Sequence, residues 1–409
     1  MQRDFGRLEG QHERDAGAFA WIIRRYLQRL LQPADRGRLV VTLPNGSRIL
    51  HGGSKPGPEA TLAINRWQVF ARVLAGGSNG FAEAYMDGFW SSPDLPALLA
   101  WFDCNGSALE TTTDGPLPMR LMDRLRHALR SNTRRNSRRN IAAHYDLGNA
   151  FYAAWLDAGM SYSSGIYAEA QTSLEAAQAA KVDRVCDLLE LQSGQRVLEI
   201  GCGWGGVMEA VAQRGAAITG LTLSHEQKAF AEARLAQCAP AEAWDVRLQD
   251  YRDLDGSYDR IVSIEMLEAV GEAYWPTYFA QVHDRLKPGG VAVIQVISIA
   301  EDRYAAYRRR PDFIQRYIFP GGMLPTPAIV AEQADIAGLV LSQRMDFGLS
   351  YAHTLRDWRM RFLAAWPRIA VLGFDAHFKR MWEYYLAYCE AGFHTGAIDV
   401  HLFQFRRPG

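Results

Sequence analysis

The sequence has few cysteines, no excess of charge of either sign and no long apolar run. Its five cysteines form an odd set with neither a C-x-x-C pair nor zinc-ligand spacing, which argues against a disulfide framework and favours a reducing cytoplasm. The 45 basic residues balance the 45 acidic ones, so no overall field attracts nucleic acid or a membrane. No stretch approaches the roughly 18 apolar residues that a membrane span needs. We therefore expect a cytoplasmic protein that holds no metal and is at most peripheral to a membrane.

The 409 residues suggest two domains of different texture joined by a linker. Residues 1–115 combine helical spacing of apolar residues with a strand at 39–43, which predicts a small mixed, mainly helical domain. A linker is predicted at 116–140, because residues 110–118 are rich in threonine, proline and glycine and a basic stretch follows them. Residues 141–409 form the predicted main domain.

Strands and helices alternate regularly from residue 196 onward. This alternation predicts a doubly wound α/β sheet in which most strands are parallel, while the late runs 339–345 and 400–405 could pair as antiparallel edge strands. In such sheets ligands bind outside the carboxyl ends of the strands. The loops after residues 200, 222, 249, 263 and 297 are therefore expected to face the ligands.

The predicted linker carries a basic cluster with no acidic residue among its members. The cluster consists of Arg124, Arg126, Arg130, Arg134, Arg135, Arg138 and Arg139. Such clusters attract anionic lipid head groups, at about 1 kcal/mol per charge near the surface. A solvated helix face, or pairing with acids elsewhere in the fold, is an equally good interpretation. RNA binding is a weaker one, since no nucleic-acid-binding module is recognisable.

The segment Val197–Gly206 reads as a buried strand that runs into a glycine-rich turn. Its glycines satisfy both the G-x-G-x-x-G pattern of dinucleotide sites and the E-x-G-x-G-x-G pattern of methyltransferases, and a turn without a ligand is a third interpretation. Glu199 favours the methyltransferase pattern, because a carboxylate can face a cationic methionine moiety but would repel a pyrophosphate. The following strand, residues 217–222, also ends without the acid that a dinucleotide ribose requires.

Two carboxylates, Glu265 and Glu268, follow the strand predicted at 259–263. A spacing of three residues is expected to place both on one side of a helical turn. Carboxylates there could orient a substrate, hold a catalytic anion or stabilise developing positive charge. An acid that merely favours a helix N-terminus is the competing interpretation.

Several ordered blocks of the sequence resemble the cyclopropane-fatty-acyl-phospholipid synthases. These blocks are His144–Asn149, Met160–Ser163, Val197–Gly206, Gln249–Leu254, Glu268 with Val270 and Gly271, Tyr317–Gly322 and Arg361–Pro367. The resemblance runs from about residue 140 to the C-terminus, and Glu83–Gly88 extends it into the N-terminal domain. It implies a class I methyltransferase (Rossmann-like) sheet and S-adenosylmethionine (SAM) as the cofactor.

The resemblance also implies methyl transfer from SAM to the double bond of an unsaturated fatty acyl chain, usually in a membrane phospholipid. Attack by the alkene leaves a carbocation, which needs aromatic faces, a carboxylate and the exclusion of water. Loss of a proton from the new methyl group gives a cyclopropane, whereas other proton losses or a hydride shift give methylene- or methyl-branched chains. Lipid binding without methyl transfer, and methylation of a soluble small molecule, are the rival functions.

This reading places the protein at the inner surface of the membrane as a peripheral protein. The arginine cluster and the N-terminal domain would engage anionic lipid there. No nucleic-acid partner is expected, and a homodimer is left open.

In families that this chain resembles, bicarbonate takes the proton. Carried over by position, Glu268 and Tyr351 match two of its ligands and Ile297 matches a backbone ligand. This sequence departs from the family at three positions, with Ser164 for a cysteine and with Gln295 and Ala269 for histidines. Because a glutamine carries neither a charge nor a transferable proton, we expect weaker binding of bicarbonate or a more direct role of Glu268 as the base.

The remaining matches concern the cofactor. The resemblance assigns Tyr162 and Ser163 to the methionine end, Gly201 and Gly203 to the loop, Thr222 and Gln227 to the ribose, and Asp250 and Tyr251 to the adenine. Glu199 joins this set, because its carboxylate can face the positively charged methionine moiety. Gln227 also ends a capping box that begins at Ser224, a role that competes with cofactor binding.

Overall fold

The computed structural model of the chain describes residues 20–113 and 147–409. The chain forms two compact units, Met1–Arg120 with Ala376–Ala391, and Leu121–Asp375 with Gly392–Gly409. The linker predicted at 116–140 lies outside the described residues, and so does its arginine cluster. The predicted domain boundaries at residues 115 and 140 assign residues 376–391 to the main domain, whereas these residues belong to the first unit.

The first unit is a mixed unit with a four-stranded sheet. Its elements are α1 (residues 20–31), β1 (Arg36–Thr42), β2 (Arg48–Gly52), β3 (Lys55–Ile64), α2 (Gln68–Met86), β4 (Trp90–Ser91) and α3 (Leu95–Thr113). The sheet has the order β2-β1-β3-β4, in which β1 is antiparallel to β2 and parallel to β3. Helix α2 is kinked at Gly77, where the backbone leaves the helical region.

Aromatic side chains form much of the core of the first unit. Trp90 is completely buried, and its ring lies 4.2 Å from Phe81 and 4.7 Å from Tyr85, measured between ring centroids. Residues 376–391 join this core, because the guanidinium of Arg380 lies 5.1 Å from the centre of the Tyr85 ring and Tyr384 contacts the same ring. The core of this unit is therefore completed by a segment close to the C-terminus.

The second unit contains a seven-stranded sheet and most of the helices. Its strands are β5 (Arg196–Ile200), β6 (Ala217–Thr222), β7 (Trp244–Leu248), β8 (Tyr258–Ile264), β9 (Leu286–Ile299), β10 (Val340–Asp346) and β11 (Ile398–Arg406). Its helices are α4 (Asn149–Ala153), α5 (Leu174–Leu188), α6 (Gly206–Gln213), α7 (His225–Cys238), α8 (Leu267–Val270), α9 (Trp275–Arg285), α10 (Glu301–Tyr307), α11 (Pro327–Ile336), α12 (Gly348–Ala370) and the end of α13 (Ala376–Thr395).

The strand order β10-β11-β9-β8-β5-β6-β7 confirms the prediction of a doubly wound α/β sheet with mostly parallel strands. The five strands from β9 to β7 are parallel, while β11 runs antiparallel to both of its neighbours, β9 and β10. The two late runs pair antiparallel as predicted, but residues 400–405 do not form an edge strand, because β11 lies between β9 and β10. Residues 400–405 are all buried, which suits an interior strand, whereas β10 is largely exposed and forms the edge.

The order of the strands also fixes the position of the ligand site. Strand β5 lies between β6 and β8, so the chain leaves β5 toward one edge of the sheet and later returns on its other side. Such a switch point opens a crevice outside the carboxyl end of the strand. The glycine-rich turn after β5 lies at this crevice.

Capping by hydroxyl side chains sets where several helices begin. The side chains of Ser173, Ser224 and Thr326 each accept a hydrogen bond from a backbone N–H in the first turn of α5, α7 and α11. Across the described ranges, no helix combines the length and the apolar character that a bilayer crossing requires.

Candidate active site

The glycine-rich turn is held tightly on one side and open on the other. The backbone N–H groups of Gly201 and Cys202 both donate to the carbonyl of Leu221 on β6, at 3.1 and 2.8 Å. Gly201 has φ +84°, and a Cβ at this position would lie 2.4 Å from Cγ of Met266. A Cβ on Gly203 would meet nothing within 4 Å. The turn therefore presents bare backbone to open space, as a nucleotide-like ligand requires.

Glu199 is a buried carboxylate at the end of β5 with an unused oxygen. The residue is 2% exposed, and its Oε2 has no hydrogen-bond partner among the described residues. Burial raises the pKa of Glu199 to about 8, while the charge of Lys181 and a backbone hydrogen bond from Met208 act in the opposite direction. An unpartnered buried carboxylate next to the glycine turn fits a ligand that carries positive charge.

Lys181 is a functional candidate that the sequence analysis did not find. It is 2% exposed, and its Nζ donates to Oγ of Ser163 at 2.8 Å. Desolvation lowers its pKa, and the charges of Glu265, Asp157 and Glu199 oppose that shift. Lys181 therefore supplies the positive charge for several buried acids. Its position in α5, on the helix face that also carries Leu174, Ala177, Val185 and Leu188, was the available signal.

Tyr162 and Ser163 lie in an aromatic wall. The ring centroid of Tyr162 lies 5.4 Å from Tyr152, 5.7 Å from Trp155 and 5.3 Å from Trp358. The carbonyl of Ser163 accepts from the buried side chain of Gln178 at 2.7 Å. The electron-rich faces of these rings are suited to stabilising a cation.

Thr222 and Gln227 form a buried pair that resolves the two roles predicted for Gln227. The Thr222 hydroxyl donates to Oε1 of Gln227 at 2.8 Å and accepts from the N–H of Ser224. Ser224 caps α7 as predicted, since its Oγ accepts from the N–H of Gln227. The side chain of Gln227 does not complete the capping box, because Thr222 already binds the N–H of Ser224. The Gln227 amide N–H groups remain candidates for ligand binding.

Asp250 and Tyr251 are consecutive residues that lie shortly after β7. Both carboxylate oxygens of Asp250 accept from the guanidinium of Arg252, at 2.9 and 2.6 Å, and this ion pair is buried. The Tyr251 ring packs edge-on against Tyr278, with 5.6 Å between centroids. Its hydroxyl is buried without a partner among the described residues. Their predicted contacts with adenine stay predictions.

Glu265 is a carboxylate with hydrogen bonds to both of its oxygens. Its Oε1 accepts from the backbone N–H of Ser164 at 3.0 Å and from Nε2 of Gln295 at 2.7 Å, and its Oε2 accepts from the Tyr351 hydroxyl at 2.7 Å. The three donors come from the loop before α5, from β9 and from α12. Three of the residues predicted to bind an anion therefore converge on a carboxylate of the chain itself.

Glu268, in contrast, has a hydrogen bond to only one of its two carboxyl oxygens. The N–H of Ile297 donates to its Oε1, while its Oε2 is buried and has no partner among the described residues. Burial, and then the charge of Glu265, raise the pKa of Glu268 to about 8. This carboxyl group therefore favours its protonated form near neutral pH.

The two carboxylates do not share a helical turn, so the predicted reason for their proximity was wrong. Helix α8 begins only at Leu267, and Glu265 adopts φ +53° in the left-handed region before it. Strand β9 brings the two groups together, because Gln295 and Ile297 are alternate residues on one side of the strand and each binds one of the carboxylates.

The structure thus brings four of the five predicted catalytic residues to two carboxylates, Glu265 and the fifth predicted residue, Glu268. Ser164 contributes its N–H, since its hydroxyl donates to the carbonyl of Gly165 at 2.8 Å. The role of Glu265 was missed, because a strained φ and a contact with a distant strand leave no mark in the local sequence. The catalytic roles of all these residues stay predictions.

The burial of Glu268 predicts a particular pH dependence of stability. Its pKa rises from an ordinary 4.5 to about 8 on folding, so the folded state binds the proton more tightly than the unfolded state. This contribution is complete below pH 4.5 and is lost as the pH rises toward 8, at no more than about 1.4 kcal/mol per pH unit. A Glu268→Gln variant lacks that loss. We expect the free energy of unfolding of the variant, minus that of the parent, to increase between pH 5 and 8 in urea titrations. A constant difference would contradict the assigned burial.

Asp346, Asp399 and His401 bring possible metal-ligand atoms within 4.8 Å of one another. Both ring nitrogens of His401 are already engaged, since Nδ1 lies 2.7 Å from Oδ1 of Asp346 and Nε2 lies 2.6 Å from Oγ of Ser298. These bonds tie β9, β11 and β10 together. We therefore interpret the cluster as hydrogen bonding between strands and not as a metal site.

Comparison with known proteins identifies what this arrangement resembles. Residues 132–403 match the family described as mycolic acid cyclopropane synthetase. The tuberculostearic acid methyltransferase UfaA1 of Mycobacterium tuberculosis is 42% identical over 364 residues, covering 85% of this chain and 84% of that protein. The cyclopropane-fatty-acyl-phospholipid synthase of Escherichia coli is 37% identical over 374 residues, covering 90% and 92%. The solved structure of mycolic acid cyclopropane synthase CmaA1, complexed with SAH and CTAB, is 30% identical with a TM-score of 0.62, covering 66% of this chain and 98% of that chain.

Proposed function

Because the chain belongs to the mycolic acid cyclopropane synthetase family, we propose that it methylates the double bond of an unsaturated fatty acyl chain in a phospholipid and forms a cyclopropane. The chain is a SAM-dependent C-methyltransferase that acts on lipid. The phospholipid carrier and the cyclopropane product are our proposals. The observation that carries them is a pair of buried carboxylates beside an aromatic wall, at the carboxyl end of the sheet and next to the glycine turn.

SAM is the cofactor, and the residues of the site fit it. When bound, SAM supplies an electrophilic methyl group on a positively charged sulfur. We propose that the unused oxygen of Glu199 faces the charged methionine moiety, with Tyr162 and Ser163 at the same end. The backbone at Gly201 and Gly203 would lie against the nucleoside, Thr222 and Gln227 at the ribose, and Asp250 and Tyr251 at the adenine.

Methylation of an alkene requires that a carbocation be tolerated and water excluded. The aromatic wall of Tyr162, Trp155 and Trp358 supports this proposal, since ring faces attract a cation at about 0.5–2 kcal/mol each. The burial of Trp155 and Trp358 keeps water from intercepting the cation. These residues would position the acyl chain and stabilise the charge, while a carboxylate accepts the proton.

Bicarbonate, which the family resemblance implies as the proton acceptor, does not fit the residues present. The donors expected to hold it are Ser164, Gln295 and Tyr351, and all three already donate to Glu265. A second anion beside that carboxylate would meet like charge. Bicarbonate therefore has no part in the proton transfer that we propose.

A methylene- or methyl-branched product is the second candidate. It is favoured by the 42% identity to a protein named tuberculostearic acid methyltransferase, together with the neutral Gln295 beside the carboxylates. Incubation with isotope-labelled SAM and unsaturated phospholipid vesicles, followed by mass spectrometry of the derivatised acyl chains, distinguishes the three products. Label in no lipid would contradict both candidates and leave lipid binding without transfer. Label only in soluble molecules would favour the small-molecule alternative.

We also propose that the N-terminal unit and the arginine cluster of the linker engage the inner, anionic surface of the membrane. Helix α1 supports this, because it exposes Trp21, Ile22 and Tyr26 beside Arg24 and Arg25. The arginine cluster lies outside the described residues, so only the sequence supports its part in binding.

Removing charge from this cluster is expected to weaken binding to anionic vesicles. The variant replaces Arg134, Arg135, Arg138 and Arg139 with Gln, and at about 1 kcal/mol per charge the loss should exceed tenfold at low ionic strength. Vesicle sedimentation measures it. The control replaces the same number of arginines that already pair with acids, namely Arg214, Arg247, Arg308 and Arg344. Equal losses in both variants would reduce the effect to net charge, and no loss would reject the docking proposal.

A further inference from the structure

We infer that Glu265 is a built-in general base, whose carboxylate takes the position that bicarbonate has in the related enzymes. The inference deepens the proposed function and rests on it, since it concerns the proton lost after methyl transfer. Its basis is the convergence of three independent donors on a side chain that the family resemblance does not assign to catalysis.

The donors are arranged around Glu265 as around a bound anion. The N–H of Ser164, the amide of Gln295 and the hydroxyl of Tyr351 approach its two oxygens from three separate elements, all within 3.0 Å. Fixed donors that are 6% exposed or less keep water from competing for the carboxylate. The chain therefore carries its own anion where an external one would otherwise have to bind.

The charges of the site identify which carboxylate is free to accept a proton. Glu265 has three donors and the nearby positive charge of Lys181, while Glu268 has one donor and an oxygen without a partner. Burial raises the pKa of Glu265, and the donors and Lys181 oppose that rise. The three donors stabilise the carboxylate form of Glu265 more than the single donor stabilises that of Glu268, so Glu265 is the base.

The departures from the family pattern are consistent with this arrangement. A neutral Gln295 donates a hydrogen bond without fixing an additional charge, which is sufficient when the anion is covalently attached to the chain. Gln295 also holds the backbone of Glu265, since its carbonyl accepts from the Glu265 N–H at 2.9 Å. The same residue thus secures both the strained backbone at φ +53° and the carboxylate.

The proposed step balances without an external reactant. The π electrons of the alkene form the bond to the transferred methyl carbon, and the electrons of the broken sulfur–carbon bond remain on sulfur. Positive charge is left on the neighbouring alkene carbon. Glu265 then accepts a proton from the new methyl group, and the electron pair of that carbon–hydrogen bond closes the ring. The carboxylate becomes a neutral acid and must release its proton before the next turnover.

The test compares the parent with Glu265→Gly and Glu265→Gln in carbon dioxide-depleted buffer. Glycine accepts the left-handed backbone and leaves space for a small anion, whereas glutamine fills that space without supplying a base. We expect the parent to methylate phospholipid at the same rate with or without added bicarbonate. Both variants should lose about 10²- to 10⁴-fold in rate. Added formate or bicarbonate should restore Glu265→Gly by at least about tenfold and leave Glu265→Gln unchanged, a pattern that a structural role would not produce.

Anion binding provides a readout that does not depend on turnover. Formate should raise the melting temperature of Glu265→Gly but not of the parent, because only the variant has free donors. A parent whose rate falls without carbon dioxide and returns with bicarbonate would overturn the inference, as would a fully active Glu265→Gly in depleted buffer. The parent measurements apply even if a variant fails to fold. A parent that methylates no lipid would instead reject the proposed function, and the formate measurement would still test the anion position.

Discussion

Replacing Lys181 with methionine should lower the free energy of unfolding by about 3–5 kcal/mol, as expected when one partner of a buried charge cluster is removed. Methionine has a similar length, so the variant removes charge and leaves little empty space. Glu199, Glu265 and Asp157 would then lack the buried cation whose charge acts on all three. Urea unfolding at pH 7 measures the loss.

The penalty of Lys181→Met should also grow as the pH rises from 7 to 9. The pKa of Glu199 lies at about 8 in the folded protein, so this acid is mostly neutral at pH 7 and needs a counter-charge once it ionises above pH 8. Lys228 offers the matched control, because its side chain is 30% exposed and pairs with Glu232. Lys228→Met should cost less than about 1 kcal/mol. Equal costs for the two lysines would contradict the assignment of Lys181 as a buried counter-ion.

Replacing Gly201 with alanine should weaken SAM binding by about 10- to 100-fold, as expected for 1–3 kcal/mol of strain in the binding turn. The new Cβ would lie 2.4 Å from Cγ of Met266 on a backbone with φ +84°. Since Met266 follows Glu265, its displacement should also disturb the carboxylates. Titration calorimetry with SAM measures the affinity.

Gly194→Ala is the control for backbone strain alone. Gly194 has a similar φ of +81°, and a Cβ there would meet nothing within 4 Å. This variant should lose stability but keep its affinity for SAM. If Gly201→Ala bound SAM as tightly as the Gly194→Ala control, the close packing of the turn against Met266 would not matter for the cofactor.

The fold class could be predicted because its signals are local. The strand, the glycine turn and Glu199 are contiguous in the sequence, and the alternation of strands with helices follows from the apolar periodicity. The position of β11 inside the sheet could not be predicted in this way. Strand pairing joins residues far apart in the chain, such as Val400 and Ile297, and composition alone does not order the strands.

The candidate site could be predicted residue by residue only where the family resemblance reached. Tyr351, Gln295 and Ser164 were predicted as anion ligands, but Glu265, the carboxylate to which they donate, was not predicted as their partner. Glu265 was read as a helical residue, because spacing indicates a helix unless a left-handed φ interrupts it. Lys181 was missed because a single lysine on an apolar helix face is noticed only when its partners, such as Glu199, are known to be near.

The path of the chain through its two units has a consequence for biosynthesis. The core of the first unit includes Tyr384, and the interior strand β11 of the second unit is the last strand in the sequence. Translation proceeds from the N-terminus, so neither unit can finish folding until residues 376–406 have left the ribosome. During most of its synthesis, the nascent chain therefore exposes the apolar surface of two incomplete cores, which makes it prone to aggregation. A premature stop before Ala376 should damage both units rather than the C-terminal one alone.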